Sequence, residues 1–93
     1  MELYVGIDLH SRFCWIHVMD ETGRKLFDKK LSNSLDLILL ALADFKDRVC
    51  GVVVESTFNW YWLVDGLMEN GYPVHLANPS AIKRYEGLKH VDD

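Results

Sequence analysis

Two acidic residues lie within apolar segments, and carboxylates in such positions can support metal-assisted chemistry. Asp8 interrupts the apolar run YVGIDL that begins at Tyr4, and Glu55 closes the run GVVVE that begins at Gly51. An apolar run of this length, bounded by turn signals, predicts a buried strand. A charge in a buried strand costs free energy unless another group compensates it. Two such strands, each with one acid, therefore predict that the two acids meet at one cation.

The cation predicted from this pattern is Mg²⁺, with Mn²⁺ as an alternative. Adjacent carboxylates repel each other unless a cation lies between them. Mg²⁺ takes oxygen ligands, uses few protein carboxylates and keeps positions open for phosphate. Two such ions roughly 4 Å apart can activate a nucleophile and stabilise the leaving oxygen of a phosphodiester. We therefore predict that Asp8 and Glu55 form the shared centre, with Asp92 or Asp93 as a third ligand.

Each acid also has a structural interpretation. A carboxylate at a strand end is often exposed or interacts with the N-terminus of the next helix, and Glu55 directly precedes Ser56, where a helix start is predicted. The Asp92-Asp93 pair alone is typical of a solvated tail. Asp8 favours the functional interpretation, because both of its neighbours are apolar and its strand is predicted to be central.

The other reactive side chains are predicted to be structural. His10 is expected to contact solvent in a turn. Cys14 and Cys50 lack zinc-ligand spacing and are predicted to be small buried hydrophobic side chains. The aromatic cluster of Phe58 and residues 60–62 is expected to contribute mainly to the core, with part of it free for nucleobase stacking or for a partner subunit.

Hydrophobic periodicity predicts the elements that position the two acids. Strands are predicted at residues 3–9, 12–19, 25–31, 49–55 and 72–77, and helices at 35–46, 59–69 and 80–86. Ser34 or Asn33 is the expected N-cap of the first helix, Ser56-Thr57 can cap the second, and Asn70-Gly71 is expected to end it.

The order β-β-β-α-β-α-β-α predicts an α/β fold of the ribonuclease H-like type. Its mixed sheet has strands 1–3 antiparallel and strands 1, 4 and 5 parallel, with flanking helices. The first and fourth strands lie side by side in such a sheet and are joined by a right-handed crossover. Asp8 and Glu55 are therefore predicted to be neighbours although they are far apart in the sequence.

Length and composition restrict the class of protein. The 93 residues allow one small domain with one core. A net charge of −4 gives no overall basic surface for nucleic acid. No apolar stretch is long enough for a signal peptide or a membrane span, so a cytoplasmic protein without membrane contact is expected. Because the ending LKHVDD lacks Gly and Pro, we expect residues 1–93 to be a single domain and an N-terminal fragment of a longer protein.

Three stretches of the sequence resemble a known family. They are YVGIDLHSRFCWIHVMDETGR, VVVESTFNWYWLVDGLMENGYPVHLANPSAIK and GLKHVDD. In this order they look like the N-terminal domain of the DEDD transposases of bacterial insertion sequences, whose fold is RuvC-like. Each motif is loose on its own, whereas the combination is fairly specific and covers nearly the whole chain.

The resemblance implies a role for each acid. The first Asp of the family, at the centre of the first strand, matches Asp8, and the family's Glu, at the end of the fourth strand, matches Glu55. The third carboxylate matches Asp93 best, with Asp92 where threonine is usual. The fourth acid would follow residue 93. The resemblance thus implies that Asp8, Glu55 and Asp93 are catalytic, metal-binding residues, and that residues 1–93 alone do not cut DNA.

The function implied by the resemblance is that of a DNA transposase or recombinase, in which carboxylate-bound Mg²⁺ assists strand cleavage and exchange. Family members combine this domain with a C-terminal domain that carries a nucleophilic serine, and several are guided by a bridge RNA. The implied partners are therefore DNA, a guide RNA and further copies of the chain in a homo-oligomer.

Two other functions are consistent with the predicted fold. An actin-like ATPase or sugar-kinase half-domain shares the strand order and also has an Asp on its first strand. It needs a Gly-rich phosphate turn, however, and Leu9 to Arg12 contains no glycine. A non-catalytic assembly module would use the aromatic helix as its interface, and an unchanged monomer fraction after substitution of Trp60 and Trp62 would exclude it.

Overall fold

A computed structural model describes residues 2–56 and 59–77, which form a five-stranded mixed sheet with two helices. In chain order the elements are β1 (Leu3–Leu9), β2 (Phe13–Asp20), β3 (Lys25–Ser32), α1 (Leu35–Leu42), a 3-10 helix (Ala43–Arg48), β4 (Val49–Glu55), α2 (Tyr61–Glu69) and β5 (Val74–Ala77). The strand order is β3-β2-β1-β4-β5. Neighbours are antiparallel from β3 to β1 and parallel from β1 to β5. The predicted ribonuclease H-like sheet is therefore confirmed, and the predicted helix at 80–86 lies outside the described residues.

The core lies on one face of the sheet, against α1 and α2. Alternate residues of β1 are fully or almost fully buried, as a strand with one covered face requires. The buried side chains of the core come from all parts of the described chain: Leu3, Val5, Ile7, Leu9, Cys14, Ile16, Val18, Ile38, Leu42, Val52, Val54, Leu63, Val64, Leu67 and Tyr72. No helix among the described residues is long and apolar enough to cross a membrane.

The opposite face of the sheet, called the open face below, carries the other set of alternate residues. The residues of this face that matter for the site are Tyr4, Gly6, Asp8, Phe13, Trp15, His17, Asp28, Lys30, Val53 and Glu55. Both described helices pack on the core face, so neither of them covers the open face. Val53 is accordingly exposed although its neighbours on β4 are buried.

One boundary of each helix is confirmed and the other differs from the predicted one. Ser34 is the N-cap of α1, where its Oγ accepts a hydrogen bond from the Leu37 amide at 3.4 Å. The predicted continuation to residue 46 is a 3-10 segment, a tighter helix common at α-helix ends. α2 begins at Tyr61 rather than at Asn59, because the φ of Asn59 is +21° and lies outside the helical region. Trp60, not Ser56, is the N-cap, and it makes no side-chain capping bond.

The end of α2 at Asn70 and Gly71 is confirmed. Gly71 has a φ of +85°, a value that glycine adopts without a Cβ penalty. The Tyr72 amide donates to the Leu67 carbonyl at 3.0 Å and the Gly71 amide to the Met68 carbonyl at 3.0 Å. This pair of bonds is a Schellman motif, which satisfies the last carbonyls of the helix and directs the chain into β5.

The turn between β2 and β3 is organised by one largely buried carboxylate. Asp20 Oδ1 accepts hydrogen bonds from the Thr22 hydroxyl at 2.6 Å, the Thr22 amide at 2.9 Å and the Arg24 amide at 3.0 Å. The Thr22 hydroxyl is the largest cause that holds the pKa of Asp20 below its ordinary value, and the two amides act in the same direction.

We expect the Asp20→Asn substitution to reduce the acid sensitivity of folding. A carboxyl whose pKa is lower in the folded state stabilises the fold above its unfolded pKa of about 3.9. That contribution disappears as the pH falls through the folded pKa. Thermal unfolding followed by circular dichroism between pH 7 and 2 should show a shallower decline for Asp20→Asn than for wild type. Glu21→Gln, an exposed neighbour in the same turn, is the control, and equal slopes for Asp20→Asn and wild type would contradict the assignment.

Candidate functional site

The two predicted acids lie side by side on the open face. In the parallel pairing of β1 and β4, Asp8 is the direct partner of Glu55. Neighbouring strands are about 4.8 Å apart, and paired residues direct their side chains to the same face. Two residues that are separated in the sequence by two strands and two helical elements thus meet at the carboxyl ends of two parallel strands.

A solvent-open depression surrounds this pair. It has a volume of about 290 Å³ and is lined by Gly6, Ile7, Asp8, His17, Val53 and Glu55. Gly6 contributes to the space, because a Cβ at this position would have no heavy atom within 4 Å. The depression therefore gives a ligand direct access to both carboxylates.

The Asp8 carboxylate is half-exposed, with 48% of its side-chain surface accessible. The prediction that Asp8 carries a buried charge is wrong. The side chains of β1 alternate between the two faces of the sheet, and Asp8 lies on the uncovered face. Asp8 Oδ2 lies 3.0 Å from Nε2 of His10. His10 is indeed half-exposed, as expected of a turn histidine, but it also contacts the acid.

The donor set fits a divalent cation. Among residues 2–56 and 59–77, no Lys or Arg forms an ion pair with Asp8 or Glu55. Two carboxylates without a cation repel each other, and Mg²⁺ is commonly held by only one or two carboxylates, with water or phosphate as the other ligands. The same residues contain no cluster of three or more potential metal ligands. Asp92 and Asp93 lie outside the described residues.

Side chains next to the acids were not predicted as functional. Trp15 is the antiparallel partner of Asp8, and His17 lines the depression. The Trp15 indole N–H donates to Asp28 Oδ1, and Nδ1 of His17 lies 3.1 Å from the same oxygen. The Trp15 hydrogen bond is the largest cause that lowers the pKa of Asp28. Strand alternation places residues 13, 15 and 17 on one face, but only the pairing register shows that this is the face of Asp8.

The predictions for the other residues that were expected to be structural are confirmed in part. Cys14 is buried, and burial raises the pKa of its thiol to about 11. The prediction for Cys50 is wrong, because this side chain is exposed. Trp60 and Trp62 pack against the core, as expected. Phe58 lies outside the described residues.

Comparison with known proteins identifies one family. The family model of the DEDD transposases (IS110 type), described as Transposase, matches residues 5–92. No curated protein matches the chain.

Two solved structures show the fold independently. RuvC of T. thermophilus, solved in complex with a Holliday junction substrate, is 18% identical and has a TM-score of 0.70. The match covers 90% of this chain and 69% of RuvC. A Listeria monocytogenes protein assigned as an N-acetylmannosamine kinase is also 18% identical, with a TM-score of 0.55. That match covers 82% of this chain and 35% of the Listeria protein.

Proposed function

Because the chain belongs to the DEDD transposase family, we propose that Asp8 and Glu55 bind Mg²⁺ and that this site assists the cleavage and exchange of DNA strands. The observation that carries the proposal is the direct pairing of the two acids beside an open depression. The Holliday junction bound by RuvC of T. thermophilus, a protein of the same fold, supports DNA as the substrate.

The residues of the site have distinct roles in this proposal. Asp8 and Glu55 hold the cation from neighbouring strands, and the sheet fixes their separation. His10 orients the Asp8 carboxylate through its contact with Oδ2, and its ring is steadied by stacking on Phe13 with a centroid distance of 4.7 Å. When bound, Mg²⁺ supplies Lewis-acid stabilisation of the negative charge that develops during phosphodiester cleavage.

The proposal extends to residues and partners suggested by the family resemblance. Asp93 is the third catalytic and metal-binding acid, with Asp92 as its alternative, and Mn²⁺ can replace Mg²⁺. Residues 1–93 form the single N-terminal catalytic domain of a longer transposase and are inactive alone. Copies of this transposase assemble into a homo-oligomer with DNA and a guide RNA.

Metal-dependent stabilisation tests the site. A ligand that binds only the folded state raises the unfolding temperature, and for a domain of this size about 1 kcal/mol corresponds to roughly 4–8 °C. We expect millimolar Mg²⁺ or Mn²⁺ to raise the unfolding temperature of wild type by a few degrees. Asp8→Asn and Glu55→Gln should abolish this increase, because each removes a charged ligand.

Matched acids on α2 provide the controls for this experiment. Asp65 and Glu69 are exposed, and α2 packs on the core face of the sheet. Asp65→Asn and Glu69→Gln should therefore retain the full response to metal. If Asp8→Asn and Glu55→Gln also retained it, the proposed centre would be wrong.

A further inference from the structure

We propose that a row of side chains across the open face binds single-stranded DNA next to the metal-binding acids. In the proposed binding mode, Trp15 stacks on an unpaired base, and Lys30 binds a phosphate of the same strand. The inference rests on the proposed function, because it assumes that the phosphodiester to be cleaved lies at Asp8 and Glu55. It gives a substrate-binding role to Trp15 and Lys30, which take no part in the proposed metal centre.

The pairing register places these side chains in one line. Lys30 pairs with Trp15, Trp15 with Asp8, and Asp8 with Glu55. With about 4.8 Å between strands, Lys30 lies two strand spacings, or about 10 Å, from Asp8 along this line. An extended DNA strand that crosses β4, β1, β2 and β3 would therefore pass the acids, the indole ring and the ammonium group in turn.

Trp15 is held in a conformation suited to stacking. Its indole N–H donates to Asp28 Oδ1, and Lys25 Nζ contacts Asp28 Oδ2 at 3.3 Å. The only polar atom of the indole is thereby satisfied, while 38% of the residue surface remains exposed. Stacking on a nucleobase needs this combination of a fixed ring and an accessible surface, and it tolerates any base sequence.

Lys30 is held beside the same path. Its Nζ lies 4.2 Å from the centroid of the Phe13 ring, a cation–π contact that positions the exposed ammonium group. No described carboxylate pairs with it. The charge is therefore available for a phosphate.

Positive charge is concentrated in the part of the chain that forms β2 and β3. Residues 12–30 contain five of the ten Lys and Arg residues and three acids, and Lys30 is the lysine of β3 that lies on the open face without an ion pair among the described residues. The acids of the depression repel phosphate without a cation, so binding energy must come from outside the metal centre. In the proposed binding mode β2 and β3 supply this binding energy, with Trp15 between Lys30 and the two acids. An unpaired strand is required, because the face of a base in a duplex is covered by its neighbours.

The test is binding of a fluorescein-labelled oligodeoxythymidylate by anisotropy, in EDTA so that no metal contributes. We expect Trp15→Leu to weaken binding by about tenfold or more, and Trp15→Phe to retain most of the affinity, because base stacking needs an aromatic ring. Lys30→Gln should weaken binding and reduce the slope of log affinity against log salt concentration by about 0.7, the value for one phosphate contact on a single strand.

The controls make comparable changes at other locations. Lys29→Gln removes the same charge from the adjacent position of β3, which points to the other face, and Tyr61→Ala removes an exposed aromatic side chain from α2. Both should bind as wild type does. Circular dichroism confirms folding of each variant, and the exposed Lys30 position carries the test if Trp15→Leu does not fold.

Wild-type affinity in Trp15→Leu and Lys30→Gln, or equal losses in the two controls, would overturn the proposed strand-binding row. That failure would leave the metal centre intact, because metal-dependent stabilisation is measured without DNA. Conversely, a wild-type protein that binds the oligonucleotide but shows no metal-dependent stabilisation would contradict the proposed metal centre and leave the proposed strand-binding row in place.

Discussion

Asp8→Asn is expected to reduce DNA cleavage and strand exchange at least about a thousandfold in the longer transposase that we propose. The substitution keeps the size of the side chain and removes its charge, so the proposed cation would lose a charged ligand. Stabilisation of developing charge by a metal ion contributes several kcal/mol to such reactions, and about 4 kcal/mol corresponds to a factor of a thousand in rate. A strand-cleavage assay with labelled DNA and a transposition assay in cells measure the loss.

The unfolding temperature of Asp8→Asn shows whether the loss of activity comes from the missing charge or from misfolding. Without metal, Asp8 and Glu55 repel each other across the two strands, so Asp8→Asn should unfold at the same temperature as wild type or at a higher one. Asp65→Asn, the same chemical change on α2, should retain full activity. Recombination by Asp8→Asn at the wild-type rate would rule out a catalytic role for this acid.

Leu42→Ala is expected to destabilise the domain by about 2–5 kcal/mol, the usual cost of removing a buried leucine side chain and leaving a cavity. Leu42 is on α1, has no exposed surface and belongs to the core cluster. Because small domains have total stabilities of only about 5–15 kcal/mol, the variant should be partly or wholly unfolded at 37 °C. Urea denaturation followed by circular dichroism gives the free energy of unfolding directly.

Leu40 is the matched control for this substitution. It lies on the same helix but is 73% exposed, so Leu40→Ala removes the same atoms without opening a cavity. We expect a change within about 0.5 kcal/mol, as for other surface substitutions. Similar destabilisation by both variants would mean that α1 does not pack on the sheet through the face that includes Leu42.

Local sequence patterns predicted most of the strands, because each apolar run is short and bounded by turn residues. β1 and β4 begin and end at the predicted residues, and the predicted sheet order is confirmed. The start of α2 could not be predicted in the same way. It depends on the positive φ of Asn59, a backbone conformation that polar residues before a helix do not specify.

The candidate site was predictable in its topology but not in its surroundings. Adjacency of Asp8 and Glu55 follows from the crossover between parallel strands. The contributions of Trp15 and Lys30 depend on the antiparallel registers of β2 and β3, which the sequence pattern alone leaves open. Burial of Asp8 was overestimated, since an apolar run does not reveal which faces of its strand are covered.

The Listeria protein, which is assigned as an N-acetylmannosamine kinase, is similar to this chain in fold. An ATP-binding function of that kind requires backbone amides of a Gly-rich turn around the phosphates. The turn after β1 contains His10, Ser11 and Arg12. Its first residue instead contacts Asp8, an arrangement that favours the transposase function over the kinase alternative.

The strict alternation of β1 restricts how this protein can change during evolution. Ile7 faces the core, while Gly6 and Asp8 face the depression. An inserted or deleted residue ahead of Asp8 would reverse the orientation of every side chain that follows in the strand. Such a change would expose isoleucine and drive the acid inward, so the number of residues ahead of Asp8 in β1 must stay constant for the acid to face the depression.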